Sequence, residues 1–459
     1  MPDSTPDTGV TDTQTLRDRV RTLMTQAQDD LGTMVAFRTV FGVPELADDC
    51  RRSADWVATA FTDAGVPSEV LDTADGSFAV FGRREAPAGD SPVPTVLLYS
   101  HHDVQPAGPD ADWHSPAFEL TERDGRWYGR GAADCKGNVV AHLTALRALG
   151  DDIPCTVKVV VEGSEEAGGE GLEHLVRDRP ELFAADVIVI ADAGNVEVGT
   201  PTLTTNLRGV ANLDVTVETL GTEVHSGQFG GAAPDALAAL VAGLASLRDE
   251  QGNTTIDGLR TDQVWTGAPY SSDRFRGDAG VLDGVDLLGS GTPADMTWAR
   301  PSVTVIGLDA PPTDDCAAAI RPRASAVLNL RVPAGVDAEE ARDLLADHLR
   351  AHIPWRARVT FGTEMTGQPF AARLDGPFYQ VLSSALARAY DAAVVHSGQG
   401  GSIPLAGVLM DIAPAAEIAL LGVEEPSCRI HAPDESVDPG EIERTALAEA
   451  IFIDSLRAR

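Results

Sequence analysis

The chain has 459 residues, 43% of them hydrophobic and 23% charged, the balance of a soluble globular protein and too long for one ordinary core, so two domains are expected. Seventy acidic residues against 35 basic ones leave a formal charge of −35, which argues against nucleic acid or an anionic membrane as a partner, because both require surplus Lys and Arg. No apolar run approaches a membrane span, the polar N-terminus (1–13) reads as a flexible tail without a secretion or transit signal, and five scattered cysteines with no CxxC pair fit a reducing cytoplasm.

A helical period covers 14–37, with Leu16, Val20, Leu23, Leu31, Met34 and Val35 on one broad face. Pro44 precedes a second helix carrying Ala54, Val57 and Phe61, and strand-like segments follow at 68–71 and 77–82. A buried strand, 95–100, ends in His101-His102-Asp103. A glycine-rich turn, 129–137, holds Asp134 and leads into a helix at 138–149. The β-branched run 157–161 breaks off into Glu162-Gly163-Ser164-Glu165-Glu166; a helix follows near 172–177, and the strand 186–191 ends at Asp192. This alternation predicts an α/β fold with a mainly parallel sheet, whose sites form at the carboxyl ends of the strands. His101, Asp103, Glu165, Glu166 and Asp192 all fall there.

From about Gly209 the character changes. A half-exposed strand (211–218), a glycine-rich loop with His225-Ser226-Gly227, a helix (234–247), an irregular stretch without period (249–299) and strands at 302–306 and 324–331 predict an inserted α+β lid domain over 209–332. The catalytic domain is then discontinuous, 14–208 and 333–459. Its second part shows helices at 339–351, 377–390 and 440–456, a Gly-Gly-Ser-Ile-Pro run at 400–404, a strand at 418–421 and the segment Ile430-His431-Ala432-Pro433-Asp434-Glu435.

Zinc-like ions take imidazole nitrogen and carboxylate oxygen, and a pair of ions about 3.5–4 Å apart needs a bridging carboxylate. The candidate set is His101, Asp134, Glu166, Asp192 and His431. With Asp134 bridging, one ion takes His101, Asp134 and Asp192, and the other takes Asp134, Glu166 and His431, leaving room for a shared water. Glu165 is then the general base, and Asp103, two residues beyond His101 on an extended strand, can accept the other ring N–H of that histidine.

These residues resemble the M20 metallopeptidases. Ser100-His101-His102-Asp103-Val104-Gln105-Pro106, Gly129-Arg130-Gly131 with Asp134-Cys135-Lys136-Gly137, Glu162 to Glu166, Ala191-Asp192, His225-Ser226-Gly227 and His431-Ala432-Pro433 match the family's motifs in order and spacing. Within it, Asp103-Val-Gln-Pro106, Arg208-Gly209, Phe229-Gly-Gly231 and 400–404 look most like the carnosinase-like, cytosolic non-specific dipeptidase branch. The resemblance implies two divalent metal ions, zinc or manganese, a cis peptide after Asp134, and a homodimer formed through the lid domain. It implies that His225 stabilises the oxyanion in the neighbouring subunit's site, that Arg331 clamps the substrate's carboxylate, and that Gly401 and Ser402 belong to a further substrate-binding loop. Two departures stand out: Gln399 precedes the Gly-Gly-Ser-Ile-Pro run where the branch carries an acid, and Asp434 stands where it carries asparagine.

The leading expectation is a hydrolase cleaving the peptide bond of dipeptides. The alternatives are a deacylase acting on N-acyl amino acids with the same metal site, and a non-catalytic binding homologue, whose mark would be loss of Glu165 or of a ligand. Cys135 is expected to be a packed thiol.

Overall fold

In a computed structural model of the chain, residues 11–88, 93–314, 316–401 and 403–457 are described. The N-terminal part of the expected tail and Ser402 therefore lie outside the described residues. The chain divides into two compact units: Met1–Thr205, Ala372–Ser397 and Pro404–Arg459 form the larger, Asn206–Ala371 and Gly398–Ile403 the smaller.

The larger unit is built on a sheet whose strands run in the order Ser68–Asp72, Phe78–Arg84, Thr156–Glu162, Thr95–His101, Val187–Ala191 and Glu417–Leu421, with Thr202–Leu207 beyond. The four strands from Thr156–Glu162 to Glu417–Leu421 are parallel to one another, and the pairs outside them are antiparallel. Every residue of Thr156–Glu162 and Val187–Ala191 is buried, as β-branched runs covered on both faces must be. Helices Thr13–Ala36, Lys136–Leu149, Pro377–Tyr390 and Pro439–Asp454 pack together and supply much of the main core with Leu16, Leu31, Leu143, Leu382 and Phe452.

The smaller unit holds a four-stranded antiparallel sheet in the order Ser302–Asp309, Arg323–Val332, Gly209–Glu218 and Arg358–Gly367. Burial alternates along Arg323–Val332, the mark of a sheet covered on one face. Helices Ala236–Ala245 and Ala338–His352 cover that face through Leu240, Leu345 and Leu349. The boundary read from the sequence at 332 falls inside this unit, because Ala338–His352 and Arg358–Gly367 pack on the Gly209–Glu218 strand. The strand Arg358–Gly367 escapes a sequence reading because its alternation breaks at a register shift between Phe361 and Glu364. Thr202–Leu207 escapes for another reason: its Thr-Thr-Asn stretch reads as loop, yet its threonines are buried in the sheet.

Candidate metal centre

Each predicted ligand sits where regular structure ends. His101 is the last residue of its strand and pairs in register with Glu162, the last residue of the neighbouring one. Glu165 and Glu166 follow Glu162 in a single turn, Asp192 follows Ala191, and Asp134 lies just before Lys136–Leu149. The peptide between Asp134 and Cys135 is cis. His431 has a φ of 60°, a left-handed conformation uncommon for a side-chain-bearing residue, in the loop that follows Pro426–Cys428.

The chain brings these atoms together as two triads sharing one carboxylate. His101 Nε2 lies 2.9 Å from Asp134 Oδ1 and 3.3 Å from Asp192 Oδ1. His431 Nε2 lies 3.1 Å from Asp134 Oδ2 and 3.0 Å from Glu166 Oε2. The two oxygens of Asp134 thus face the two histidines separately. Four-coordinate zinc, with bonds of about 2.0–2.1 Å, places its donors roughly 3.3 Å apart, and these separations match. Glu165 Oε2 stands 4.0 Å from His101 Nε2, adjacent to the donors and outside either triad.

The electrostatics call for a cation. Burial and the nearby Asp192 charge push the Glu165 carboxyl up to about 8, and burial pushes Asp192 up to about 6. Against the upward pull of burial, hydrogen bonds to His101 and His431 hold Asp134 below the usual carboxylate range. Asp134 and Glu166 raise His431 to about 10. Glu162 and Glu424, both buried close by, each keep one carboxylate oxygen without a hydrogen-bond partner. A buried set so rich in carboxylate is costly as it stands, and divalent ions neutralise it. The donors, imidazole nitrogen and carboxylate oxygen, suit zinc or manganese. Cys135 lies within reach of His101 and Asp192, but its thiol donates to Ala191 O at 3.0 Å and burial keeps it protonated, so it stays a packed thiol.

Supporting groups fix the donors. The fully buried Asp103 carboxylate lies 3.3 Å from His101 Nδ1 and also accepts the backbone N–H groups of Glu165 at 3.2 Å and Glu166 at 3.0 Å. It thereby positions one histidine and two glutamates. Glu435 accepts the N–H groups of Gly131, Ala133 and Asp134 at 3.0–3.1 Å and pairs with the buried Arg130 at 2.6 Å, so it holds the turn that carries Asp134. Gln105 donates to Glu166 O at 2.9 Å and to its Oε2 at 3.1 Å. Glu435 and Gln105 stand inside the quoted motifs, yet residue spacing gives no sign of these bonds to backbone and neighbouring side chain. Asp434, one of the two departures, accepts from His114 N at 3.0 Å and from Arg123 at 3.1 Å, with His114 Nδ1 also on its carboxylate. Against its burial, hydrogen bonds from the His114 backbone N–H, the His114 ring and Arg123 hold its carboxyl down at about 2 and suit an acid better than an amide.

The other predicted residues lie in the smaller unit. His225 is exposed, and its Nδ1 accepts the N–H of Gly227 at 3.0 Å, which leaves the ring proton on Nε2. Arg331 is half-buried, donates to Asn329 at 3.2 Å, and lies close enough to Arg208 that, after burial, its charge helps lower the Arg208 guanidinium to about 10. Gly401 is exposed. The stretch 249–299 forms much of the wall of a cavity of about 510 Å³, with Phe275, Leu288 and Met296 on its apolar side and Arg208, Arg248 and Ser302 on its polar side.

Two histidines and three carboxylates, one of them an aspartate shared by both triads, with a further glutamate at the rim, place the protein among the metal-dependent hydrolases. The match to known proteins narrows the class: residues 97–454 fit the model of Peptidase family M20/M25/M40, and the chain belongs to that family. It is 48% identical over 432 residues to the cysteinylglycine-S-conjugate dipeptidase of Corynebacterium striatum, covering 92% of this chain and 94% of that one. It is 29% identical to the Cys-Gly metallodipeptidase dug1 of Schizosaccharomyces pombe, over 77% of this chain and 79% of that one. The crystal structure of human carnosine dipeptidase 1 shares the fold, with a TM-score of 0.73 at 24% identity over 96% of this chain and 98% of that one.

Proposed function

We propose that the chain is a cytoplasmic dinuclear metallodipeptidase. The observation that carries the reading is the bridging Asp134, with one oxygen 2.9 Å from His101 and the other 3.1 Å from His431, and with Glu165 beside it outside both triads. His101, Asp134 and Asp192 would hold one divalent ion, zinc or manganese, and Asp134, Glu166 and His431 the other. When bound, such ions polarise a scissile carbonyl and lower the pKa of a water between them.

The remaining chemistry belongs to the side chains. Glu165 takes a proton from the attacking water and returns it to the leaving amine, a task suited to a carboxyl tuned toward neutrality. Asp103 holds His101 and both glutamates in place. In the smaller unit, Arg331 clamps the substrate's carboxylate. What supports this is its position beside Arg208, with no carboxylate in ion-pair distance of either guanidinium among the described residues. Gly401 and Ser402 are further substrate-binding residues in this reading.

His225 offers its Nε2–H to the oxyanion in the partner subunit's site, which requires a homodimer. The support for that dimer is the edge strand Ser302–Asp309, whose Val305, Ile306 and Leu308 are exposed. A cytoplasmic setting is supported by all five cysteines being free. The relatives named as dipeptidases support a small peptide as substrate.

The test is release of free amino acids from a panel of dipeptides and N-acyl amino acids by metal-stripped protein reloaded with zinc or manganese, with Glu165→Gln alongside. Metal-dependent cleavage of dipeptides, lost in Glu165→Gln while that variant keeps its metal, is the expected result. Cleavage of the acylated compounds alone would overturn the dipeptidase reading in favour of a deacylase.

A further inference from the structure

The turn that carries Glu165 and Glu166 is held from two directions. Asp103 accepts the N–H groups of both glutamates. Ser164, the residue before them, closes the turn with its carbonyl, which accepts the N–H groups of Ala167 at 3.1 Å and Gly169 at 2.9 Å. Ser164 is 1% exposed, and its hydroxyl reaches out of the turn to donate at 2.8 Å to Asp75 Oδ2, 89 residues earlier in the chain.

Asp75 is an exposed residue in the hairpin between Ser68–Asp72 and Phe78–Arg84, at the outer edge of the large sheet. Its Oδ1 stays with the hairpin, 2.6 Å from the Thr73 hydroxyl and accepting the N–H of Ser77 at 2.9 Å. Its Oδ2 belongs to the other segment: besides the Ser164 hydroxyl it accepts the N–H of Gly171 at 3.2 Å. Ser164 and Gly171 bracket the two glutamates in the chain, so one oxygen staples both ends of the segment that presents them.

Two features of that segment fit the carboxylate. The helix Glu170–Asp178 starts at Gly169, which has no side chain to cap it. Asp75 supplies the missing acceptor from outside, and its charge sits where the helix dipole favours an anion. Position 171 is also a glycine within a helix, where alanine is the better former. A Cβ there would lie no more than 2.6 Å from both oxygens of Asp75, so the glycine leaves the carboxylate its place.

We infer that Asp75 is a positioning residue for the reaction: through Ser164 and Gly171 it fixes the turn that aims Glu165 at the attacking water and Glu166 at its ion. The inference rests on the roles proposed for those two glutamates. The rival is a tie that serves folding alone, whose loss lowers stability and leaves kcat where it was.

The experiment compares full-length wild type, Asp75→Ala, Ser164→Ala, their double variant and Glu165→Gln in steady-state cleavage of a dipeptide at saturating metal. Metal affinity is read by chelator competition and stability by urea unfolding. Asp75→Ala should lower kcat about ten-fold with KM within about two-fold of wild type, and should weaken one of the two metal equivalents. The double variant should be no slower than Asp75→Ala, because both changes break the same bond. Asp75→Asn, which keeps one acceptor oxygen, should lose less than Asp75→Ala and serves in its place if the alanine variant does not fold. Gly171→Ala should lower kcat in the wild-type background and cost nothing further beside Asp75→Ala. A kcat for Asp75→Ala within about two-fold of wild type, with Glu165→Gln inactive, overturns the inference alone. So does a loss confined to the urea midpoint, or effects of Asp75→Ala and Ser164→Ala on kcat that multiply in the double variant. A fully active Glu165→Gln removes the base that the turn aims and overturns the inference together with the reading it rests on.

Discussion

Replacing Asp103 by Asn tests whether one carboxylate organises the centre. The buried side chain accepts the N–H groups of both Glu165 and Glu166 while facing His101. An amide has one acceptor oxygen. It can serve one of the two N–H groups, but its own NH₂ then faces the other and leaves a buried donor unsatisfied, at about 1–3 kcal/mol. The surviving bond falls from charge-assisted to neutral strength, about 1 kcal/mol more. The sum is about 2–4 kcal/mol, or roughly 30- to 700-fold in rate at about 1.4 kcal/mol per decade. Because the displaced groups are the proposed general base and a proposed ligand, the loss should fall on kcat and on metal affinity, with KM nearly unmoved. The assay is steady-state cleavage of a dipeptide at saturating metal, with metal affinity from chelator competition. An Asp103→Asn enzyme within about three-fold of wild type on both measures would refute the positioning role.

Glu435→Gln strands the guanidinium of Arg130, 1% exposed, and should cost about 3–5 kcal/mol in urea unfolding of the metal-free protein. Gly163→Ala should disable the enzyme without touching a ligand: the added Cβ would lie 2.4 Å from Phe78 O and 2.9 Å from His102 Nε2, so the turn carrying Glu165 must shift, read as a fall in kcat together with a stability loss of about 1–3 kcal/mol. His142 donates to Glu449 at 2.8 Å and to Tyr99 O at 3.2 Å; against burial, those acceptors raise its pKa. The folded chain then holds a proton that the unfolded chain has released above about pH 6.5, so this stabilisation is complete below that pH and is lost as pH climbs through the folded value. The urea midpoint of wild type should fall across that window, and His142→Gln should flatten the slope.

The proposed ligands His101, Glu166 and Asp192 stand out in the sequence because each comes where an apolar strand run ends. The β-branched run Val157 to Val161 stops at Glu162, and the apolar run before Asp192 ends just as sharply, so an acid there is conspicuous. Residues that act by accepting backbone N–H groups leave no such mark. Glu435 differs from a solvated loop acid only in what the folded chain places around it. Most helices and strands of the larger unit were legible for the same reason, Thr202–Leu207 being an exception. The extent of the smaller unit was not, because the register shift at Phe361 hides its last strand and Ala338–His352 resembles any amphipathic helix until its partner sheet is known.

The shared carboxylate also orders events during biosynthesis. Asp134 meets His101 from nearby in the chain, whereas its other oxygen waits for His431, which leaves the ribosome about 330 residues after His101. At about 5–20 residues per second, that interval is roughly 15–65 s. During it the first triad can assemble but the second cannot, so a nascent chain has half a centre. A peptide hydrolase arranged this way is incomplete throughout its own synthesis, and a truncation anywhere before the C-terminal segment leaves a chain without the second triad.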